Sequence, residues 1–399
     1  MGDRERRAVS APPHWRAGAG RLALPLAIFI GSFSWSFVFV SLPFHIQHIS
    51  TWDPKSTLRW TGWILGVTAL VTVITAPLWG RFGGRGDPKR LFMIVQALQG
   101  LGFLGMAAAR TLPELFVSRI VLGFMGAVST FAFIIAGRAA DPREVRRQVA
   151  AAQSAMTVGQ VIGPLVGAIA AARLGFRASC VVGGLVLCAC AGLVRWGVPE
   201  PPKREASSTA MGTAPFPEVT AVVLLILGAS IQIFFLPSIL PQILPPMGVA
   251  AGEMLEIGGV IIFVSGAAAA SGSLLAPRLS DVFPRRWLLA GLLGASAVCV
   301  AGLGIASSVA VFGALRFLQV FFIAPVFPIA VAGIAHRAGG QAIGAINAAR
   351  IGAAFIGPVL ATTVLAVAPP AVLYLVLAAV ALASVPVATW RRPAPGDLR

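Results

Sequence analysis

Apolar runs of roughly twenty residues, each long enough to cross the hydrocarbon core of a bilayer as a helix, recur along almost the whole chain. Twelve can be drawn, at about 22–44, 60–80, 91–109, 113–137, 149–172, 178–197, 219–241, 256–276, 287–306, 308–332, 342–366 and 370–390. They are numbered spans 1 to 12 below. With 57% hydrophobic residues, 11% charged residues and one tyrosine, the composition excludes an ordinary water-soluble domain.

The net charge is +17, which in a soluble protein would point to nucleic acid. Here Lys and Arg fall in the short gaps between apolar runs, where they set membrane topology, and no nucleic-acid partner is expected. An even number of spans puts both termini on one side. With the termini inside, 23 basic residues lie on the inner side against five outside (Lys55, Arg59, Arg110, Arg173 and Arg177). That bias predicts cytoplasmic termini in a cell (inner or plasma) membrane, with the lipid bilayer as partner. Trp52, Trp60, Trp63 and Trp79 suit interfacial anchoring. Cys180, Cys188, Cys190 and Cys299 all lie in apolar runs and read as small buried hydrophobes, with no metal site. No cleavage site follows the N-terminal arginines, so span 1 reads as a retained helix.

The longest internal polar segment, near 198–218, is rich in Pro, Ser, Thr and charge, and reads as a linker. The expected organisation is a tail over 1–21, a six-helix bundle over 22–197, the linker over 198–218, a second bundle over 219–390 and a tail over 391–399. The halves repeat at an offset near 197. Leu42-Pro43 matches Leu240-Pro241, Arg119 matches Arg316, the span 2–3 loop matches the span 8–9 loop, and Gly163-Pro164 matches Gly357-Pro358. Four matches in order imply a duplication. Two repeated halves around a midplane site form the architecture of an alternating-access transporter. The fold expected is all-α, with twelve transmembrane helices in two pseudo-symmetric six-helix bundles.

Gly159, Gly163 and Gly167 recur every four residues in span 5, so they share one helix face, and Pro164 bends the helix beside them. Such a face lets another helix approach almost backbone to backbone. Ala349, Ala353 and Gly357, followed by Pro358, repeat it in span 11 after Asn347. Both stretches are expected to pack between the halves, span 5 on span 8 and span 11 on span 2.

At the motifs the chain resembles the major facilitator superfamily over nearly its whole length. The span 2–3 loop, Gly80-Arg-Phe82-Gly-Gly84-Arg85-Gly-Asp87-Pro-Lys89-Arg90, is similar to that family's Gly-x-Leu-x-Asp-Arg-x-Gly-Arg-Lys pattern, with Gly84 in place of the acid and Asp87 three residues later. The second-half copy keeps its acid as Asp281, before Arg285 and Arg286. Arg119-Ile-Val-Leu122-Gly123 and Arg316-Phe-Leu-Gln319-Val320 resemble the family's Arg-x-x-Gln-Gly motif of span 4. The span 5 stretch resembles Gly-x-x-x-Gly-Pro-x-x-Gly-Gly, which in the family goes with antiporters, above all drug/proton exporters. The resemblance implies a cavity lined by spans 1, 4, 7 and 10.

Within that frame Ser32, Trp35, Ser36 and Phe39 of span 1 share a face, joined by Gln232 and Phe235 of span 7 and Arg316 and Gln319 of span 10 as the expected cavity wall. Arg119, Arg316 and Arg350 are the charges well inside spans, and each costs several kcal/mol unless it faces the interior, water or a partner. Arg119 either holds helices in register through backbone carbonyls or serves transport. Arg350 is as readily a gate residue as a ligand. All fourteen acids lie in loops, tails or span ends, so a proton carrier at the midplane is missing. His45, at the outer end of span 1, is a candidate proton site or simply an interfacial histidine. Asp281 is expected to meet the start of span 5 when the inner side closes, with no equivalent acid at Gly84.

The expected function is a secondary transporter exporting small amphipathic organic molecules by antiport, with protons as the candidate coupling ion, acting as a monomer. The alternative is an organic-anion carrier of the same fold with Arg119 and Arg316 as counter-ions. Converging catalytic groups, a phosphate-binding Gly-x-x-x-x-Gly-Lys loop and cofactor motifs are lacking in the sequence, so neither an enzyme nor a primary pump is expected and no cofactor is assigned.

Overall fold

The computed structural model describes residues 14–126, 128–138, 142–198, 215–334, 337 and 340–389. Within them twelve helical stretches are long and apolar enough to cross a membrane: Leu22–Ile49, Pro54–Gly83, Pro88–Ala108, Leu112–Gly137, Arg143–Leu174, Phe176–Gly197, Phe216–Ile243, Met254–Val282, Arg285–Ile305, Val309–Ala332, Gln341–Leu365 and Pro370–Thr389. These are spans 1 to 12. The first helix begins at His14, so residues 14–21, expected as tail, extend span 1. The rest of the expected N-terminal tail, most of the linker and the C-terminal tail lie outside the described residues, as does the side chain of Arg85.

Span boundaries follow from local chemistry. Asp53 caps span 2 by accepting from Ser56 N at 3.0 Å, and Asp87 caps span 3 by accepting from Lys89 N at 2.9 Å and Arg90 N at 3.2 Å. Thr111 and Ser308 cap spans 4 and 10 in the same way. Pro54 and Pro88 open spans 2 and 3, where a missing N–H costs nothing. Gly175, at φ +82°, turns span 5 tightly into span 6.

Spans 1, 4, 7 and 10 are interrupted. Span 1 breaks between Phe37 and Ser41, span 4 between Phe124 and Val128, span 7 passes through a 3₁₀ turn over Leu236–Ile239, and span 10 breaks between Ile323 and Val326. Pro43, Gly123 with Gly126, Pro237 with Pro241, and Pro325 stand at or beside these places. Backbone groups freed inside a bilayer must find partners within the protein. Around the span 4 break they do: Gln99 Nε2 donates to Met125 O at 2.7 Å, Trp79 Nε1 to Phe124 O at 2.6 Å and Thr72 Oγ1 to Gly123 O at 3.0 Å.

Apolar clusters form around Phe92, Phe103 and Phe131 in the first half and around Leu293 in the second, while the cluster around Phe312 and Tyr374 also takes in Val40 and Ala168 of the first half. The halves meet through spans 2 and 11 and through spans 5 and 8. A Cβ added at Gly62 would collide with the Thr362 hydroxyl and lie 2.8 Å from Pro358 O, and one at Gly66 would lie 2.9 Å from Phe355 O. Across the molecule Gly259 faces Ala168 and Leu165, and Gly266 faces Val161. Gly62 and Gly259 are separated by the repeat offset, so both contacts descend from one ancestral helix pair.

The glycine stripe of span 5 corrects the expectation. Gly159, Gly163 and Gly167 lie against span 1 of their own half: added Cβ atoms would meet Phe29 O at 2.8 Å, Phe33 O at 2.7 Å and, at Gly167, the Phe37 carbonyl itself. Val161, Leu165 and Ala168, on the opposite face of the same helix, supply the contact with the other half. In span 11 Gly357 likewise meets span 7 of its own half, at Ile231 and Phe235, while Phe355 and Pro358 face span 2.

Candidate transport site

The shared topology of the two halves brings the predicted residues into two buried groups and one half-buried face. In the second half Arg316 is enclosed, at 1% exposure. Its Nε donates to Ser265 Oγ at 3.3 Å, one terminal nitrogen to Gln232 O at 2.7 Å and to Gln319 Oε1, and the other to Ile233 O at 2.8 Å. Pro237, four residues on, has no N–H with which to satisfy Ile233 O, so the break in span 7 presents that carbonyl to the arginine. Gln319 Nε2 donates to Ser296 Oγ at 3.2 Å, and Ser296 Oγ to Gln232 Oε1 at 3.1 Å. The Phe235 ring lies 5.0 Å from the guanidinium, and Tyr374 packs edge-on against Phe235. One network thus joins spans 7, 8, 9 and 10.

In the first half Arg119 is also buried. It donates from Nε to Ile64 O at 3.1 Å and from a terminal nitrogen to Leu65 O at 3.0 Å, both on span 2, while Thr68 Oγ1 donates back to Arg119 O at 3.0 Å. Neither arginine faces an acid. Backbone carbonyls accept from both, joined at Arg316 by the Gln319 amide oxygen and the Ser265 hydroxyl, which ties neighbouring helices together and leaves few donors for a substrate.

Of the span 1 residues, Ser36 is buried against span 5, where its hydroxyl donates to Gly159 O at 3.2 Å as well as to Ser32 O at 2.9 Å. Ser32, Trp35 and Phe39 are half-buried, with Trp35 packed on the first-half core. Gln232, Phe235, Arg316 and Gln319 therefore sit behind the wall expected of them, within the bundle, and only the span 1 residues reach an open surface. The buried Ser265 and Ser296, and Gly62 with Gly66, were missed from sequence. The two glycines carry the same four-residue spacing as the span 5 stripe.

At the end of the molecule where span 1 begins and span 12 ends, the main contacts of Val128–Gly137 among the described residues are with first-half spans and those of Val326–Ala332 with second-half spans. Arg285 donates to Ala330 O at 3.0 Å, tying the start of span 9 to span 10, and Arg138 to Gly83 O at 3.2 Å. Arg337 and Glu218 form a two-point ion pair, at 3.0 and 2.6 Å. Asp281 is exposed and has no ion pair among the described residues, a Cβ added at Gly80 would meet nothing within 4 Å, and Asp87 is taken up as the cap of span 3. At the opposite end the halves close: Arg173 of span 5 pairs with Glu256 of span 8 at 3.5 Å, and the end segments of spans 1 and 7 touch. His45 lies at this closed end, stacked on Phe176 at 4.0 Å, in a cleft of about 590 Å³ shared with His48, Arg110 and Arg177. It lies about one helical turn beyond Ser41, where span 1 resumes after its break.

Twelve membrane-spanning helices in two repeated halves, with four of them interrupted, are the frame of a membrane transporter. The chain belongs to the Major Facilitator Superfamily, whose family model matches residues 24–272. It is 26% identical to the uncharacterized MFS-type transporter YuxJ of Bacillus subtilis (strain 168), over 80% of this chain and 84% of that one. It is 25% identical to the multidrug resistance protein MdtG of Proteus mirabilis (strain HI4320), over 73% of this chain and 74% of that one. The solved nucleoside transporter NupG shares the fold at a TM-score of 0.72, with 11% identity over 93% of this chain and 99% of that one. The protein is a multi-pass membrane transporter and not an enzyme.

Proposed function

We propose that the chain exports small amphipathic organic molecules across the cell membrane by alternating access, in exchange for protons. The observation that carries this reading is the asymmetric contact between halves: Arg173 pairs with Glu256 across them at one end, while at the basic end Val128–Gly137 and Val326–Ala332 pack mainly on their own halves among the described residues. With the basic end placed in the cytoplasm, this is the state that loads substrate from inside. The glycine–proline stretch of span 5 and the similarity to MdtG support export by antiport. The half-buried Ser32, Trp35 and Phe39 offer a mostly apolar wall with few polar groups, which suits an amphipathic guest. His45 is retained as the proton site for lack of an acid in the middle of any span. We take the two bundles, 22–197 and 219–390, as the moving bodies of a monomer.

The test is accumulation of an amphipathic dye in inside-out vesicles with and without an imposed pH gradient. Uptake that depends on the gradient, and that is lost in His45→Ala, supports the reading. Dye movement indifferent to the gradient removes the antiport assignment.

A further inference from the structure

Arg350 is the intramembrane arginine whose donors the protein leaves open. It is the eleventh residue of helix Gly340–Leu365. At 1.5 Å per residue this places it about 15 Å along the axis, near the middle of a core about 30 Å thick. Ile346, Arg350, Ala353 and Gly357 follow at i, i+4, i+7 and i+11 and so share one face. Ile346 and Ala353 on that face are buried and Gly357 meets span 7, so Arg350 is turned to the inside of its bundle and away from lipid.

Its guanidinium lies 5.1 Å over the ring of Phe327, in the segment of span 10 beyond the break. It makes no hydrogen bond and no ion pair among the described residues. The ion pairs there are Arg147 with Glu144, Arg173 with Glu256 and Arg337 with Glu218, all near span ends. An aromatic face attracts the cation but accepts none of its five N–H groups in the plane. A charge at this depth is costly until an anion or water meets it. Arg119 and Arg316 show the contrast: at similar depth, backbone carbonyls and amides meet their donors. Span 11 is reached from the basic end, where the halves are parted and Asn347, one turn below Arg350, is exposed.

We propose that Arg350 and Phe327 form a substrate subsite for amphipathic organic anions, the guanidinium binding a carboxylate or sulfonate and the ring contacting the attached apolar body. This rests on the transport function proposed above and replaces Arg119 and Arg316 as the counter-ions of an anionic cargo. A gate role for Arg350 would act alike on every substrate, whereas a subsite discriminates by charge.

A matched pair of probes separates the two: 8-anilinonaphthalene-1-sulfonate and its uncharged analogue N-phenyl-1-naphthylamine, which differ by the sulfonate. Equilibrium binding of each is measured on the full chain in nanodiscs of uncharged lipid, for wild type, Arg350→Gln and Arg350→Lys, with transport measured separately in proteoliposomes. The expected result is wild-type preference for the sulfonate, a fall in the sulfonate-to-neutral affinity ratio of about tenfold in Arg350→Gln, the size of one charge-assisted hydrogen bond, and partial retention in Arg350→Lys. Neutral-probe binding reports that each variant is folded. A ratio unchanged in Arg350→Gln, or no preference in wild type, overturns the subsite. Charge-dependent binding with no transport of either probe leaves the subsite standing and overturns the export function instead.

Discussion

Arg119 and Arg316 occupy equivalent places in the repeat, yet the two halves use them differently. Arg119 fastens span 4 to one neighbour, span 2, through two carbonyls. Arg316 is the centre of a polar network that reaches Gln232, Ser265, Ser296 and Gln319 on four spans. The glycine contacts run the other way. In the first half span 5 lies so close to span 1 that a methyl group at Gly167 would fall on the Phe37 carbonyl. In the second half Gly357, the equivalent of Gly163, leaves 3.1 Å to Ile231 O, where a Cβ at Gly163 would lie 2.7 Å from Phe33 O. Close backbone fit holds one bundle and side-chain hydrogen bonding the other, on one topology. In span 7 Pro237, which has no N–H, leaves the Ile233 carbonyl to Arg316, whereas Phe39 at the corresponding place of span 1 keeps an N–H that donates to Ser36 O at 3.1 Å.

The largest effect is expected where fit is tightest. Gly167→Ala should abolish transport and sharply lower the yield of folded protein, while Gly357→Ala should keep most activity; equal damage from both would erase the contrast between the halves. Next come the arginines. Arg316→Ala strips a buried network of its centre and should lower stability by on the order of 3 kcal/mol, with Arg119→Ala about half that, read as unfolding midpoints in detergent. The reverse order would show that the network is worth less than two backbone carbonyls. Smaller again, Ser265→Ala should cost about 1 kcal/mol by orphaning Arg316 Nε. Thr68→Ala should cost less, because Arg119 O keeps its helix donor. The smallest structural effect belongs to the loops. Asp87→Asn should preserve both stability and transport, since asparagine caps a helix about as well. Asp281→Asn should slow turnover without lowering the unfolding midpoint, because Asp281 is free in the state described and is needed only when the basic end closes. Equal turnover in the two loop mutants removes that gating role.

Span number, repeat and family were legible in the sequence because hydropathy, loop charge and the spacing of Gly, Pro and Arg report them directly. The partners of those residues were not. A glycine stripe announces that something approaches closely, but span 5 has neighbours on two faces, and only packing shows that Gly163 meets span 1 while Leu165 meets span 8. Sequence left Arg119 open between a tie to backbone carbonyls and a transport role, because a backbone carbonyl has no letter of its own in the sequence; for Arg316 the one hint is Pro237, beside the carbonyl it meets. The interruptions of spans 1, 4, 7 and 10 were likewise hidden, since the hydropathy of each stays continuous through its break. Arg350, read equally as a gate residue or a ligand, lies over the Phe327 ring with no hydrogen bond or ion pair among the described residues.

The central claim is that the contact at the Arg173–Glu256 end must open once in every transport cycle. Arg173→Cys with Glu256→Cys, bridged by a short bifunctional thiol reagent that can be cleaved by reduction, tests it in proteoliposomes. Transport should cease on bridging and return on cleavage, with each single cysteine variant unaffected by the reagent. Full transport by the bridged protein would contradict alternating access through this interface.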